Sequence, residues 1–322
     1  MFRTCLFAVL AFGVSSALRA SADTDLLALV PGNSKVVSSI DVARTRSSGF
    51  GLYMLTKMSN EDNGFKQFVA ETGFDPRQDL QTVVFAGPGP SNNGKHESFV
   101  LLARGNFDEE KVRSAALKKG AEVKPFLGFD VIVSHPKRVN GTVFTFPSPG
   151  ILLMGDNSSV RSVLQSHGTP SVLDADLQSE IDAVSSTNDA WFASTTGGNV
   201  FGRKFSLEAN GQAQQPVQAF DSILRSSGGI RFGDLNQIQF AAVARSPKDA
   251  ASLSDVVRFF GSMMQMERGK DPRAGILASS LDNMQLKTSG DTVNVSFSIG
   301  EKDLEKLAEL GPPQQAVSVH PK

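Results

Sequence analysis

Cysteine is nearly absent from this sequence. Its 322 residues include one, Cys5. Cys5 falls in an N-terminal segment expected to be removed, so the mature chain has none. That excludes a disulfide scaffold, cysteine-ligated zinc and a cysteine nucleophile. No Leu-x-x lipobox pattern precedes Cys5, so no lipid anchor is expected. Tyrosine and tryptophan occur once each, against 23 phenylalanines. Phenylalanine fills cores, whereas Tyr and Trp, with their polar handles, are the usual choice at recognition surfaces. Histidine is scarce as well. His96, His135, His167 and His320 form no His-x-His or His-x-x-x-His pair, so no metal site is visible. Charge of one sign is lacking too. Taking Arg3 and Arg19 from 32 basic residues leaves 30 against 33 acidic, a net charge of −3. With no long basic run, binding to nucleic acid or to anionic lipid by charge alone is not expected.

What is present begins with MFRTCLFAVLAFGVSSALRASADTD, which reads as a secretory signal. Arg3 supplies the positive end, Leu6 to Val14 the apolar run, and Ala20-Ser21-Ala22 the small-residue cleavage site. The apolar run is short of the roughly 20 residues that span a bilayer. Residues 1–22 are therefore expected to leave, with Asp23 as the new terminus. The location implied is extracytoplasmic, either periplasmic or secreted. No other stretch is long and apolar enough to be a transmembrane segment. The remaining chain is ample for a sizeable core and makes one large domain or two of ordinary size.

The order of elements suggests a chain built twice. DLQTVVFA (79–86) and DLNQIQFA (234–241) share four of eight positions, which alone proves nothing. FVLLAR (99–104) competes with the first of these for FAAVAR (240–245), and its context is better. Each of that second pair leads into a helix start: Asn106-Phe107-Asp108-Glu109, with Asn as cap, and Ser246-Pro247-Lys248-Asp249, with Ser as cap. Leu26, Leu29 and Val30 predict a helix before a strand at Val36–Asp41. Leu177, Ile181 and Val184 predict a helix before a strand at Trp191–Thr195. Helical material is expected over 50–72, ending at Gly73, and over 216–226, ending at Gly228-Gly229. Val293-x-Val295-x-Phe297-x-Ile299 alternates with period two, the mark of a sheet with one face buried. The expected class is α+β. It has two similar halves, 23–168 and 169–310, each a mainly antiparallel sheet covered by helices. Residues 205–215 read as a mobile loop and 311–322 as a disordered tail.

No motif carries chemistry. GPSNNGKH (89–96) has the glycine-lysine spacing of a phosphate-binding loop. However, His96 stands where a hydroxyl should reach magnesium, and a strand follows where a helix should begin. It reads as a hairpin loop. Asp108-Glu109-Glu110 and Asp174-x-Asp176 lie at helix starts, where acids complement the dipole. Asn140, Asn157 and Asn294 sit in glycosylation sequons, Asn294 in mid-strand. No Gly-x-Ser-x-Gly elbow exists, although a scattered triad leaves no sequence signature.

The most suggestive feature is the helix 250–268. Leu253, Val256, Val257, Phe259, Phe260, Met263, Met264 and Met266 cover about half its circumference, wider than the usual stripe of roughly 100°. Its extra apolar face packs on the other half, on a second chain as a homodimer, or on a ligand; methionine adapts to any of these. Phe259, Met263 and Met266 are the candidate ligand or interface residues.

At LLALVPGNSKVVSSIDV, FVLLARGNFDEEKV and TVNVSFSIGEKDLEKL the chain resembles a group of uncharacterised secreted bacterial proteins of duplicated α+β layout, families known only as domains of unknown function. The resemblance implies an extracytoplasmic location, no known activity and no transferable site residues. The expectation is a non-enzymatic protein that binds a protein partner, without cofactor. The alternatives are a carrier of an apolar ligand and a hydrolase with dispersed catalytic residues.

Overall fold

A computed structural model describes residues 23–61, 63–89, 98–134, 136, 141–169, 171–198, 208–209, 212–213 and 218–310. The expected signal, the glycine-rich loop after Gly89, His96, His135, His320, Asn140, most of 205–215 and the tail lie outside them.

The core of the molecule is one antiparallel sheet of twelve strands. The first part of the chain supplies β1 (Val36–Asp41), β2 (Leu80–Gly87), β3 (Val100–Gly105), β4 (Glu122–Phe126), β5 (Phe129–Val133), β6 (Thr142–Ser148) and β7 (Ile151–Asp156). The second supplies β8 (Ala190–Ser194), β11 (Ile223–Arg231), β12 (Leu235–Ala244), β13 (Gln285–Ser289) and β14 (Thr292–Gly300). Two short strands, β9 (Glu208–Ala209) and β10 (Gln212–Ala213), pair apart from it. The order across the sheet is β13-β14-β12-β11-β8-β1-β2-β3-β7-β6-β5-β4. A sheet for each half was expected. Instead β1 pairs with β8, Val36 opposite Ser194 and Ile40 opposite Ala190, and this seam makes the sheet continuous.

Helices cover both faces, not one. On the back lie α1 (Thr24–Ala28), α7 (Asn157–Gln165) and α8 (Ala175–Ser185). They bury Leu26, Val30, Val160, Val163, Leu164, Leu177, Ile181 and Val184 against Val37, Val84, Val100, Leu102, Leu153 and Ala193. Each helix starts where a side chain caps it. Asp23 accepts from Leu26 N–H, Asp156 from Ser159 N–H and Asp174 from Asp176 N–H. A partly buried ion pair locks α8 onto β11: Arg225 Nε donates to Glu180 Oε1 at 2.9 Å, and Ser227 Oγ to Glu180 Oε2 at 2.6 Å.

On the front, α4 (Asn63–Thr72) and α6 (Glu109–Lys118) lie over the first half, where Phe68, Val112 and Ala115 meet Phe144, Phe146, Leu152 and Met154. Over the second half, α9 (Pro247–Glu267) sets Leu253 and Val257 against Ala242, Val293 and Val295. The helix α10 (Pro272–Leu281) packs on α9, and Gln265 Nε2 donates to Ala278 O. Two further helices meet in front of the second half: α3 (Gly49–Glu61) packs on α11 (Glu301–Leu310). The linkers α2 (Val42–Thr45) and α5 (Pro76–Asp79) are single turns.

The expected strands and helices match, with two exceptions. Gly73 does close α4 in the left-handed region, at φ 68°. The matching helix over 216–226 does not exist. A short 3₁₀ turn, Gln218–Ser222, leads directly into β11. Gly228 is therefore a strand residue. A Cβ there would stand 2.5 Å from Phe240 Cδ1, 2.7 Å from Gln239 O and 3.0 Å from Phe192 Cε1. The two flanking rings occupy the space of the missing side chain. The cap of α6 is also Asp108, which accepts from Lys111 N–H, rather than Asn106.

Candidate functional site

Strand register decides which side chains share a face. At the seam, Ser38, Ile40, Ala190 and Phe192 point forward, joined by Val83 and Phe85 from β2, Ile230 from β11, and Ile238 and Phe240 from β12. The front helices stop on either side of this patch. What remains is a cleft of about 510 Å³ along the seam. Apart from two serines and a glycine, every residue lining it is apolar. Phe85 and Phe240 stay 42% and 40% exposed at its rim. Phe85 stacks on Phe99 with centroids 5.4 Å apart, and Phe240 leans on Phe192 at 6.2 Å. Past Phe192 and Phe240 a second apolar cleft, of about 250 Å³, runs under α9 and is lined by Leu253, Val257 and Phe220.

The expected residues sit elsewhere. Phe259 and Met266 are 56% and 69% exposed on the outer side of α9, with Met263 half-buried between them. Their spacing puts them on one helix face, but none lines either cleft. The wide apolar girth of α9 divides three ways. Leu253 meets the sheet, other residues face α10, and an exposed stripe remains. Helical periodicity pointed to the helix. The floor beneath it was also present in the sequence, since Trp191 and Phe192 are adjacent apolar residues in one strand. That pattern places a large side chain on each face.

The back of the seam is polar. Where β1, β2 and β8 end, Ser39, Asp41, Thr82, Arg104, Asp189 and Trp191 line a cleft of about 340 Å³, closed by Asp23, Gln81, Ser185 and Asn188. Its charges are paired. Arg104 reaches Asp23 with two hydrogen bonds, 2.5 Å from Nε and 2.9 Å from Nη2, and Asp25 at 2.8 Å. Arg44 Nη2 stands 3.0 Å from Asp189 Oδ1, and Phe232 N–H donates to Asp189 Oδ2 at 2.8 Å. Asp41 accepts from Arg44 N–H at 2.9 Å. Burial works to raise the Asp23 pKa, but the Arg104 bonds and backbone N–H groups outweigh it and hold it below the ordinary carboxylate range. The Asp23 bond in turn raises Arg104.

The dispersed-hydrolase alternative required a pocket gathering His135 or His167 with Ser and Asp. The His167 ring stands edge-on to Phe129, centroids 5.1 Å apart, and lines neither seam cleft. Among the described residues no group of His, Cys, Asp or Glu could hold a metal ion, and no helix is long and apolar enough to cross a membrane. Compared with models of known protein families, with curated proteins and with solved structures, the chain matches none of them.

Proposed function

We propose that the chain is a non-enzymatic binding protein, secreted or periplasmic, that carries an apolar ligand in the front cleft of the seam. The observation behind this reading is the apolar floor of Ile40, Val83, Phe85, Phe192, Ile230, Ile238 and Phe240, which no helix among the described residues covers. Its volume of about 510 Å³ falls within the roughly 300–1,000 Å³ of clefts that hold small ligands. Leaving so many apolar side chains in water forgoes stabilisation of about 25 cal/mol per Å². An occupant that fills the cleft recovers it.

We further infer that the two halves share one layout. Outward from the seam the strands run β1-β2-β3-β7-β6 on one side and β8-β11-β12-β14-β13 on the other. On both sides a helix follows the third strand, α6 or α9, and another ends the half, α7 or α11. β4 and β5 extend the first half alone. In this layout FVLLAR and FAAVAR fall in third strands, whereas DLQTVVFA and DLNQIQFA fall in a second and a third.

The test is titration of the purified protein with a fluorescent fatty-acid probe, following the emission of Trp191, the only tryptophan. Saturable binding is expected, lost at least tenfold in Ile230→Glu, which sets a charge in the cleft floor. Met263→Asp should bind as the wild type does, and loss in that variant would move the ligand to α9. No binding by the wild type, together with a crosslinked protein partner, would replace the carrier reading with a protein-interaction role.

A further inference from the structure

The back cleft differs from the front one in what it leaves unused. Its two arginine pairs are committed, Asp23 and Asp25 to Arg104 and Asp189 to Arg44 and Phe232 N–H, while Asp41 accepts Arg44 N–H through one oxygen. Its neutral groups are not committed. The hydroxyls of Ser39, Thr82 and Ser185 and the indole N–H of Trp191 make no protein hydrogen bond among the described residues, and the Gln81 amide is exposed at the rim. Trp191 is 7% exposed, so little more than an edge of the ring meets the cleft. Partly buried polar groups are normally paired, with protein or with water. Here several of them, drawn from β1, β2, β8 and the end of α8, converge on about 340 Å³.

The geometry points to a second binding site, for a neutral, hydroxyl-rich small molecule of monosaccharide size. Each free hydroxyl both donates and accepts, the Gln81 amide does both, and the indole only donates. A sugar ring offers hydroxyls that satisfy such a mixed set. An anionic ligand would have to break the Arg104–Asp23 or Arg44–Asp189 pair to find a partner, leaving a buried carboxylate uncompensated. The site lies on the opposite face from the apolar cleft and does not depend on it.

Calorimetric titration of the full chain with glucose and N-acetylglucosamine, and separately with glutamate and glycine betaine, tests this. Saturable binding of a neutral sugar is expected, weakened about tenfold by Thr82→Val, which removes one hydrogen bond while keeping the side-chain shape. Thr82 has no internal partner, so the melting temperature should stay unchanged. Ser39→Ala serves as the second variant, and Ile230→Glu on the front face should bind sugar normally. No sugar binding at millimolar concentration, sugar binding untouched by both hydroxyl deletions, or binding of the charged ligands alone would each overturn the assignment.

Discussion

Asp23 serves two structures at once. It caps α1 through Leu26 N–H and grips Arg104 on β3, so one carboxylate fixes a helix start and ties it to the sheet. Its pKa is depressed below the ordinary 3.8. The sign follows: the stabilisation is complete above 3.8 and is lost as pH falls through the lower folded-state value. Asp23→Asn should cost roughly 1–3 kcal/mol at pH 7 and flatten the acid limb of the stability profile, measured by urea unfolding between pH 2 and 7. An acid limb unchanged from wild type would refute this. Such pairings are poorly legible in sequence. Arg104 lies 81 residues from Asp23, and neither belongs to a motif. The polar cleft was illegible for the same reason. Ser39, Thr82, Ser185 and Trp191 come from separate segments, and nothing in any one of them marks a shared destination.

Elements show what periodicity can and cannot carry. α8 was plain, because Leu177, Ile181 and Val184 repeat at helical spacing and all three are buried. β14 was plain by its strict alternation. β11 was missed. Its sequence ILRSSGGIR is rich in serine and glycine, which strands usually avoid, and Phe220, Ile223 and Leu224 imitate a helix face. In the strand, Ile223 is buried and Leu224 is exposed. The small residues follow from the neighbours, since Phe192 on β8 and Phe240 on β12 close over Gly228 from both sides. Gly228→Val should therefore destabilise the protein by about 1–3 kcal/mol, because the Gln239 carbonyl cannot yield as a side chain can. Thermal unfolding is the measure. A variant as stable as wild type would mean that the rings swing aside freely.

At the scale of the molecule the sheet is defined by its seam and its two edges. The outer strands are short and guarded. β4 carries Glu122, Lys124 and Pro125, and β13 carries Lys287, the residues that discourage further pairing. The inner strand β1 has no such guard, because β8 covers it. A fragment spanning 23–168 would bare the edge of β1 from Val36 to Ile40 and strip α8 from Val37. It should associate or aggregate, whereas the whole chain's seam is satisfied internally. Size-exclusion chromatography with light scattering decides, and a monodisperse monomeric fragment would contradict this. The sequence announced the α+β class. It did not announce that the halves fuse into one sheet, because nothing local in VVSSID or AWFAS names the partner strand.

The seam also sets an order of assembly. Hairpins such as β6–β7 and β13–β14 close over a few residues, so they form at little entropic cost. Joining Val36 to Ser194 closes a loop of nearly half the chain, and that cost is repaid only once both strands are already held in place. Each half is thus expected to organise around its own hairpins first, with the seam completed late. Both clefts straddle that junction. Neither exists in a half-folded chain, so any ligand they hold would bind only the finished molecule and would draw the folding equilibrium toward it.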